Sequence, residues 1–382
     1  MYSMSTLPPE LEDLIIDHIR GDKKALASCG LISRSWLHTS RPHLFGSVTL
    51  RDRTDEDFLR LKASRHCTFI PSIRTLSISR PDKDTFSGTN FTELIPKLAG
   101  FLSLKCLRMF YVHWTDLSAD SVTNFITVFH NITELEIKNT TLETPHHLIA
   151  LLARLPRLEK VTVRTMFRTM ATEMRKMPGL PMPPDPPRNL QVFQLREYDH
   201  TSLFGSILKW IAKGPTIHTL RLGWIWPNDL PDVGTHLRTL GPTLRDLHLD
   251  LVSSTSSRTV TENLGPHLAC LEHVAHLTLR VRLSTKHRDA SWALLAALPH
   301  EPAALETLTV FLEGDWMYLH NLDWEHFYAT VHAHTRLRLL RFRVDSGIDT
   351  SWIVKEILKY VQPEFAARGS VEVDFLSPNE YE

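Results

Sequence analysis

Ten times along the chain the spacing apolar-x-x-apolar-x-apolar recurs. It runs from Ile73-Leu76-Ile78 and Leu104-Leu107-Met109, through Leu158-Val161-Val163, Leu190-Phe193-Leu195 and Leu244-Leu247-Leu249, to Leu305-Leu308-Val310 and Leu337-Leu340-Phe342. Successive starts lie 26 to 32 residues apart, about 29 on average. The alternation that ends each triplet is the two-residue period of a strand buried on one face. Between triplets the apolar residues fall three and four apart, as in Leu148, Leu151, Leu152 and Leu155, which is the helical period. Pro156, Gly214, Pro215, Pro242 and Pro299 punctuate the passages from helix to strand. Neither a short strand nor a short helix buries its apolar side alone. Such units gain a continuous core only by stacking, strand beside parallel strand and helix beside helix.

A repeat of this length and signature fits the long end of the leucine-rich repeats, about 20–29 residues. The predicted fold class is α/β: over residues 47–382 a curved, irregular solenoid, with parallel strands on the concave face and helices on the convex one. A doubly wound sheet also alternates strand and helix, but it needs no shared triplet, and no glycine-rich phosphate loop follows any strand. Leucine-rich repeats usually place Asn or Cys three residues beyond the last motif position. Here Val112, Thr140, Ile225, Val252 and others stand there instead, so an asparagine ladder is not expected. The stretch 170–188 breaks the period with six prolines and reads as an exposed insertion.

Residues 7–45 carry a different pattern. Pro8 and Pro9 suit a first helical turn, Glu10, Glu12 and Asp13 its positive end, and Leu11, Leu14, Ile15 and Ile19 make one apolar stripe. Gly21 ends that helix, and further helices are expected over Lys24–Cys29 and from Ser33 to about Arg41. A three-helix unit of this size is marginal by itself and gains from docking a partner. The segment resembles an F-box. The resemblance rests on Leu7-Pro8 with Glu10, the Ile15/Ile16/Ile19 cluster, Lys24-Ala25-Leu26, and Leu31-Ile32-Ser33-Arg34-Ser35-Trp36, where the usual Val-Cys-x-x-Trp has Ile32 and Ser33. The following run His43 to Leu50 resembles the entry to the first strand in F-box proteins abundant in mushroom-forming fungi.

The resemblance implies an F-box over residues 1–46 joined to the repeats, an architecture known in that family. It implies a substrate receptor of an SCF (Skp–cullin–F-box) ubiquitin ligase, with a Skp-type adaptor and a cullin scaffold as partners and a target protein on the repeats. Carried over residue by residue, Leu7, Pro8, Glu10, Leu14, Ile15, Ile19, Leu26, Ile32 and Trp36 are candidates for the adaptor interface or for the unit's own core. Leu7-Pro8 favours contact. The other reading is a repeat scaffold acting outside any ligase.

Composition narrows this picture. With 42% hydrophobic and 23% charged residues the chain can bury a real core. Lys plus Arg and Asp plus Glu are both 43, so no global pull toward nucleic acid or an anionic membrane is expected. The N-terminus lacks the apolar run of a signal peptide, and no stretch reaches the ~18 apolar residues of a membrane span. Cys29, Cys67, Cys106 and Cys270 have no zinc spacing and read as free thiols of the cytosol or nucleus, three of them (29, 106, 270) as core. The 21 histidines form no His-Glu-x-x-His or other catalytic signature. No cofactor, metal or catalytic residue is expected, and the chain reads as a non-enzyme.

One local asymmetry stands out. Side chains alternate along a strand, so the position between the last two triplet residues and the one just after them face away from the core. The basic residues there are Arg108, Lys138, Arg164, Arg196, Arg221, Arg280, Arg341 and Arg343, against Glu136 and Asp250. Guanidinium groups grip carboxylate and phosphate bidentately. Arg108, Arg164, Arg196, Arg221, Arg280 and Arg341 are therefore the candidate target-binding residues, for an acidic or phosphorylated protein segment; an unevenly charged, solvated face is the alternative. Phe110, Tyr111, Trp114, Trp224, Trp226 and Trp316 follow strands and either anchor a partner or pack under loops.

Overall fold

Each triplet forms a short strand in the computed structural model, and within each of the chain's two compact units the strand after it in sequence is its neighbour in the sheet. The structure describes residues 7–51, 55–79, 91–112, 114, 119–142, 144–167, 184–197, 204–214, 217–252, 254–283, 290–299, 304–345, 350–361, 365 and 369–376. The chain divides into two compact units, Met1–Thr141 with Arg154–Leu158, and Leu142–Ala153 with Glu159–Glu382.

The first unit opens with helices α1 (Pro9–His18), α2 (Lys23–Cys29) and α3 (Arg34–Phe45). Their ends follow the local chemistry. Asp22 accepts from the amides of Lys24 and Ala25, and Ser33 from that of Trp36. Four strands follow: β1 (Ser47–Arg51), β2 (Thr75–Ser79), β3 (Cys106–Phe110) and β4 (Glu134–Leu142). They pair in parallel in chain order. Phe45-x-x-Val48-x-Leu50 carries the triplet spacing with an aromatic in the lead, which is how β1 adds a strand before the ten.

The second unit holds β5 (Lys160–Phe167), β6 (Val192–Glu197), β7 (Thr219–Ile225), β8 (Asp246–Leu251), β9 (His276–Leu283), β10 (Thr307–Gly314), β11 (Leu339–Asp345) and β12 (Ser370–Leu376). All pair in parallel in chain order. Within each unit the order never reverses, which excludes a doubly wound sheet. β12 lacks the leading apolar residue of the triplet, but Val371 and Val373 take the register of Leu340 and Phe342.

The register explains the core. Phe193, Leu220, Leu247, Leu277, Leu308 and Leu340 form one buried row, and Leu195, Leu222, Leu249, Leu279, Val310 and Phe342 the next. Helices Phe204–Ile211, Ala290–Ala296 and Trp324–Ala333 contribute Ile207, Leu208, Leu294, Leu295 and Phe327. Where the asparagine ladder is missing, Val112, Ile225 and Val252 are buried, so apolar packing closes those turns.

Two readings are corrected by burial. Cys270 is exposed and Cys106 half-buried, leaving Cys29 as the core thiol. Of the proline-rich stretch, residues 184–188 are described and form neither helix nor strand. Pro186 and Pro187 are nonetheless buried, and the Trp210 indole donates to the Pro184 carbonyl at 2.7 Å. The remainder, 170–183, lies outside the described residues.

Candidate functional site

On the open face of the second unit, alternation leaves two further rows. One reads Thr162, Gln194, Arg221, His248, Thr278, Thr309, Arg341 and Glu372; the other Arg164, Arg196, Gly223, Asp250, Arg280, Phe311, Arg343 and Asp374. They enclose a groove of about 250 Å³ whose lining includes Arg164, Arg196, Arg221, Arg280, Arg341 and Arg343, with Asp250 as the one carboxylate among its described lining residues.

The charges are unevenly matched. Arg280 lies 3.3 Å from Asp250 and 3.5 Å from Glu313, and Arg282 lies 3.2 Å from Asp250 and 3.7 Å from Glu313. Arg341 meets Glu372 at 2.6 Å and Asp374 at 3.3 Å. Arg221 is exposed and makes no ion pair among the described residues, and the Nε of Arg343 is buried without a hydrogen-bond partner there. Burial, then the guanidiniums of Arg280, Arg221, Arg196 and Arg164, push the His248 imidazole down to about 3, so it is neutral near pH 7. Burial pushes the Asp250 carboxyl up, opposed by Arg282, Arg280 and Arg196.

Aromatic rings hold several guanidiniums in place. Arg343 and Arg280 sit 5.1 and 5.7 Å from the centroid of Phe311, and Arg282 and Arg196 sit 4.9 and 5.6 Å from that of Trp224. Trp224 occupies a register shift in β7 with φ +63°, a left-handed backbone rare outside glycine. Gly223 beside it leaves room for the Arg196 stem, since a Cβ there would fall 2.9 Å from Arg196 Cγ.

Of the six arginines expected to bind a target, the structure brings Arg164, Arg196, Arg221, Arg280 and Arg341 to this one groove. Arg108 belongs to the first unit, where it pairs with Glu136 at 3.0 Å; Lys138 pairs with the same carboxylate at 2.8 Å. The sequence reading missed Arg282, Glu313, Glu372 and Asp374. The first two lie one alternation further along β9 and β10, and the last two on the strand without a full triplet. Among the aromatics, Trp114 and Trp316 are buried, whereas Tyr111 is exposed and Trp224 and Trp226 half-buried.

The α1–α3 unit carries a second surface. Ile16 and Leu26 are fully buried. Leu7, Leu11, Leu14, Ile15, Leu31 and Ile32 are exposed, Leu14 and Ile32 at 64% and Leu31 at 90%. The expected stripe of Leu11, Leu14 and Ile15 thus faces out, and the inward residue of α1 is Ile16. Leu26, a candidate for either the adaptor interface or the unit's own core, has no accessible side-chain area and packs in the core. Pro8 and Glu10 are exposed; Ile19 and Trp36 are half-buried. The departure at Ser33 has a local use, as its hydroxyl caps α3.

Among the described residues, no helix is long and apolar enough to cross a membrane. No protein-family profile and no curated protein matches the chain. Solved structures are similar to it, two of them as follows. One is Rad7 in the Rad7–Elc1 complex of yeast, with 15% identity, TM-score 0.39, and coverage of 97% of this chain and 89% of that one. The other is a Bacteroides fragilis protein, with 11% identity, TM-score 0.34, and coverage of 86% and 73%.

Proposed function

We propose that this chain is the substrate-recognition subunit of an SCF-type ubiquitin ligase, itself non-catalytic. In this reading α1–α3 dock on a Skp-type adaptor, the adaptor links to a cullin scaffold, and the strand face of the repeats holds the target. The observation that carries it is the outward apolar set on α1 and the α2–α3 turn: Leu7, Leu14, Ile15 and Ile32 stand exposed at the positions that resemble an F-box. A cluster of large aliphatics in water is costly unless a partner covers it. The arginine groove supplies a separate surface of different chemistry, as a two-partner receptor requires.

The test is capture of a purified Skp-type adaptor by the full-length chain. The paired change Leu14→Glu with Ile32→Glu should abolish capture while circular dichroism and melting stay as in the parent. Failure of the parent protein to bind any Skp-type adaptor would instead favour a repeat scaffold working outside a ligase.

A further inference from the structure

We infer that the outer edge of β12 takes up an extended segment of another protein as a further strand, one with Lys or Arg at alternate positions and aliphatic residues between them. This edge shares no residue with α1–α3 or with the lining of the arginine groove, and the inference does not depend on the receptor reading.

Stacked repeats bury each strand and helix against the next, so the last coil needs a polar outer face to end the stack in water. β12 lacks one. Its register partners on β11 are Leu340, Phe342 and Val344, all buried, whereas Val371, Val373 and Phe375 in the same rows are only half-buried. The helix Thr350–Tyr360, which leads into β12, turns Ile353 and Ile357 inward. It stacks Tyr360 on Trp324 of the preceding helix, ring centroids 5.1 Å apart. Leu358 lies about 160° round the helix from Tyr360, on the side away from that neighbour, and is 47% exposed. The stack therefore ends apolar in both its layers.

β12 pairs with β11 on one side, and among the described residues nothing pairs with it on the other. The Ser370 amide donates to the Arg338 carbonyl at 2.8 Å. Backbone groups alternate in direction along a strand. Ser370, Glu372 and Asp374 thus turn theirs toward β11, and Val371, Val373 and Phe375 turn theirs outward. Such a row is a template for one more strand, which would satisfy it and cover the aliphatics at once.

Charge selects the occupant. On the open face Glu372 and Asp374 share one guanidinium, that of Arg341, at 2.6 and 3.3 Å. Arg343, the register partner of Asp374, is turned to Phe311 instead, 5.1 Å from the ring centroid. One negative charge is left over, on side chains that are 44% and 48% exposed. A second copy of this chain fits badly. A two-fold axis would set β12 antiparallel to itself, and residues directly opposite share a face, so these carboxylates would meet their own kind. Lys or Arg at the facing positions gains two opposite-charge pairs, and aliphatics between them join Val371, Val373 and Phe375.

The probe is a fluorescein-labelled heptapeptide with Lys at its odd positions and Val at its even ones, beside the same peptide with Thr in place of Lys. Fluorescence polarisation with the full-length chain should give a dissociation constant about 10-fold lower for the lysine peptide, the yield of two opposite-charge cross-strand pairs. Glu372→Lys with Asp374→Lys should remove that difference. Val373→Pro should abolish binding of both peptides, since it deletes an outward amide and leaves the bonds to β11 in place. Melting checks that both variants keep the fold. Equal binding of the two peptides by the parent overturns the charge assignment. Binding that survives Val373→Pro overturns the location, and absence of binding to either peptide overturns the edge as a docking site. Self-association of the parent in sedimentation, lost in Val373→Pro, overturns the partner and gives the edge to a second copy.

Discussion

Gly223 and Gly314 would answer an added methyl group differently. At Gly223 the new Cβ meets Cγ of Arg196 at 2.9 Å, the stem of a flexible side chain. At Gly314 it meets the carbonyl oxygen of Leu283 at 2.6 Å, and φ is +116°. Backbone cannot step aside as a side chain can, and that φ is strained for any residue with a Cβ. Gly314→Ala should therefore cost ~1–3 kcal/mol of stability in urea denaturation. Gly223→Ala should stay within about 1 kcal/mol while displacing Arg196 from the groove. Equal costs would show that the two sites are not distinguished by what the methyl meets. His248 gives a prediction in pH. Its folded value of about 3 lies below the ordinary 6.5, so the unfolded chain binds the proton more readily. The contribution is full above pH 6.5 and is lost as pH falls from there toward 3. Asp250, whose carboxyl is raised, acts in the opposite sense, so the two must be separated. His248→Gln should flatten the acid limb of a stability–pH curve; a limb of unchanged slope would mean the imidazole titrates normally.

Among the elements, α1 best shows what a pattern can and cannot say. Leu11, Leu14, Ile15 and Ile19 follow helical spacing, and spacing alone reports an apolar face without reporting whose chain covers it. The structure gives the inward role to Ile16 and leaves Leu11, Leu14 and Ile15 in solvent. That division predicts two behaviours within one helix. Ile16→Ala or Leu26→Ala should cost ~2–5 kcal/mol, read as faster hydrogen exchange across α1–α3. Leu14→Ala should change that exchange by no more than about 0.5 kcal/mol yet weaken adaptor capture. If Leu14→Ala unfolds the helices, the outward face is core and the docking argument fails with it. The strands were more legible than the helices because their triplets repeat, and only buried rows in register produce such repetition. β12 escaped the pattern for the converse reason: Arg368 stands where the leading aliphatic would be, and Val371-Val373-Phe375 alternates without it.

Across the whole molecule the charges cancel, 43 against 43, and that sum hid a segregation that matters. Composition has no access to it, because pairing is decided by which strands become neighbours: Glu372 and Asp374 neutralise Arg341 only because β12 lies beside β11. The candidate arginines were visible in the sequence from strand alternation alone, but the distinction between Arg280, already paired, and Arg221, unpaired among the described residues, required the register. The consequence is two surfaces with opposite responses to salt. Raising NaCl from about 0.1 M to about 1 M shortens the Debye length from ~10 Å to ~3 Å. Target binding through the arginine groove, held by exposed Arg221, should drop severalfold over that range. Adaptor capture through Leu14, Ile15 and Ile32 buries aliphatic surface, whose driving force does not depend on screened charge, and should persist. Both can be read on one sample by surface binding at a series of salt concentrations. A parallel loss of the two would mean that charge also holds the adaptor, and a groove insensitive to salt would mean that its arginines are not what grips the target.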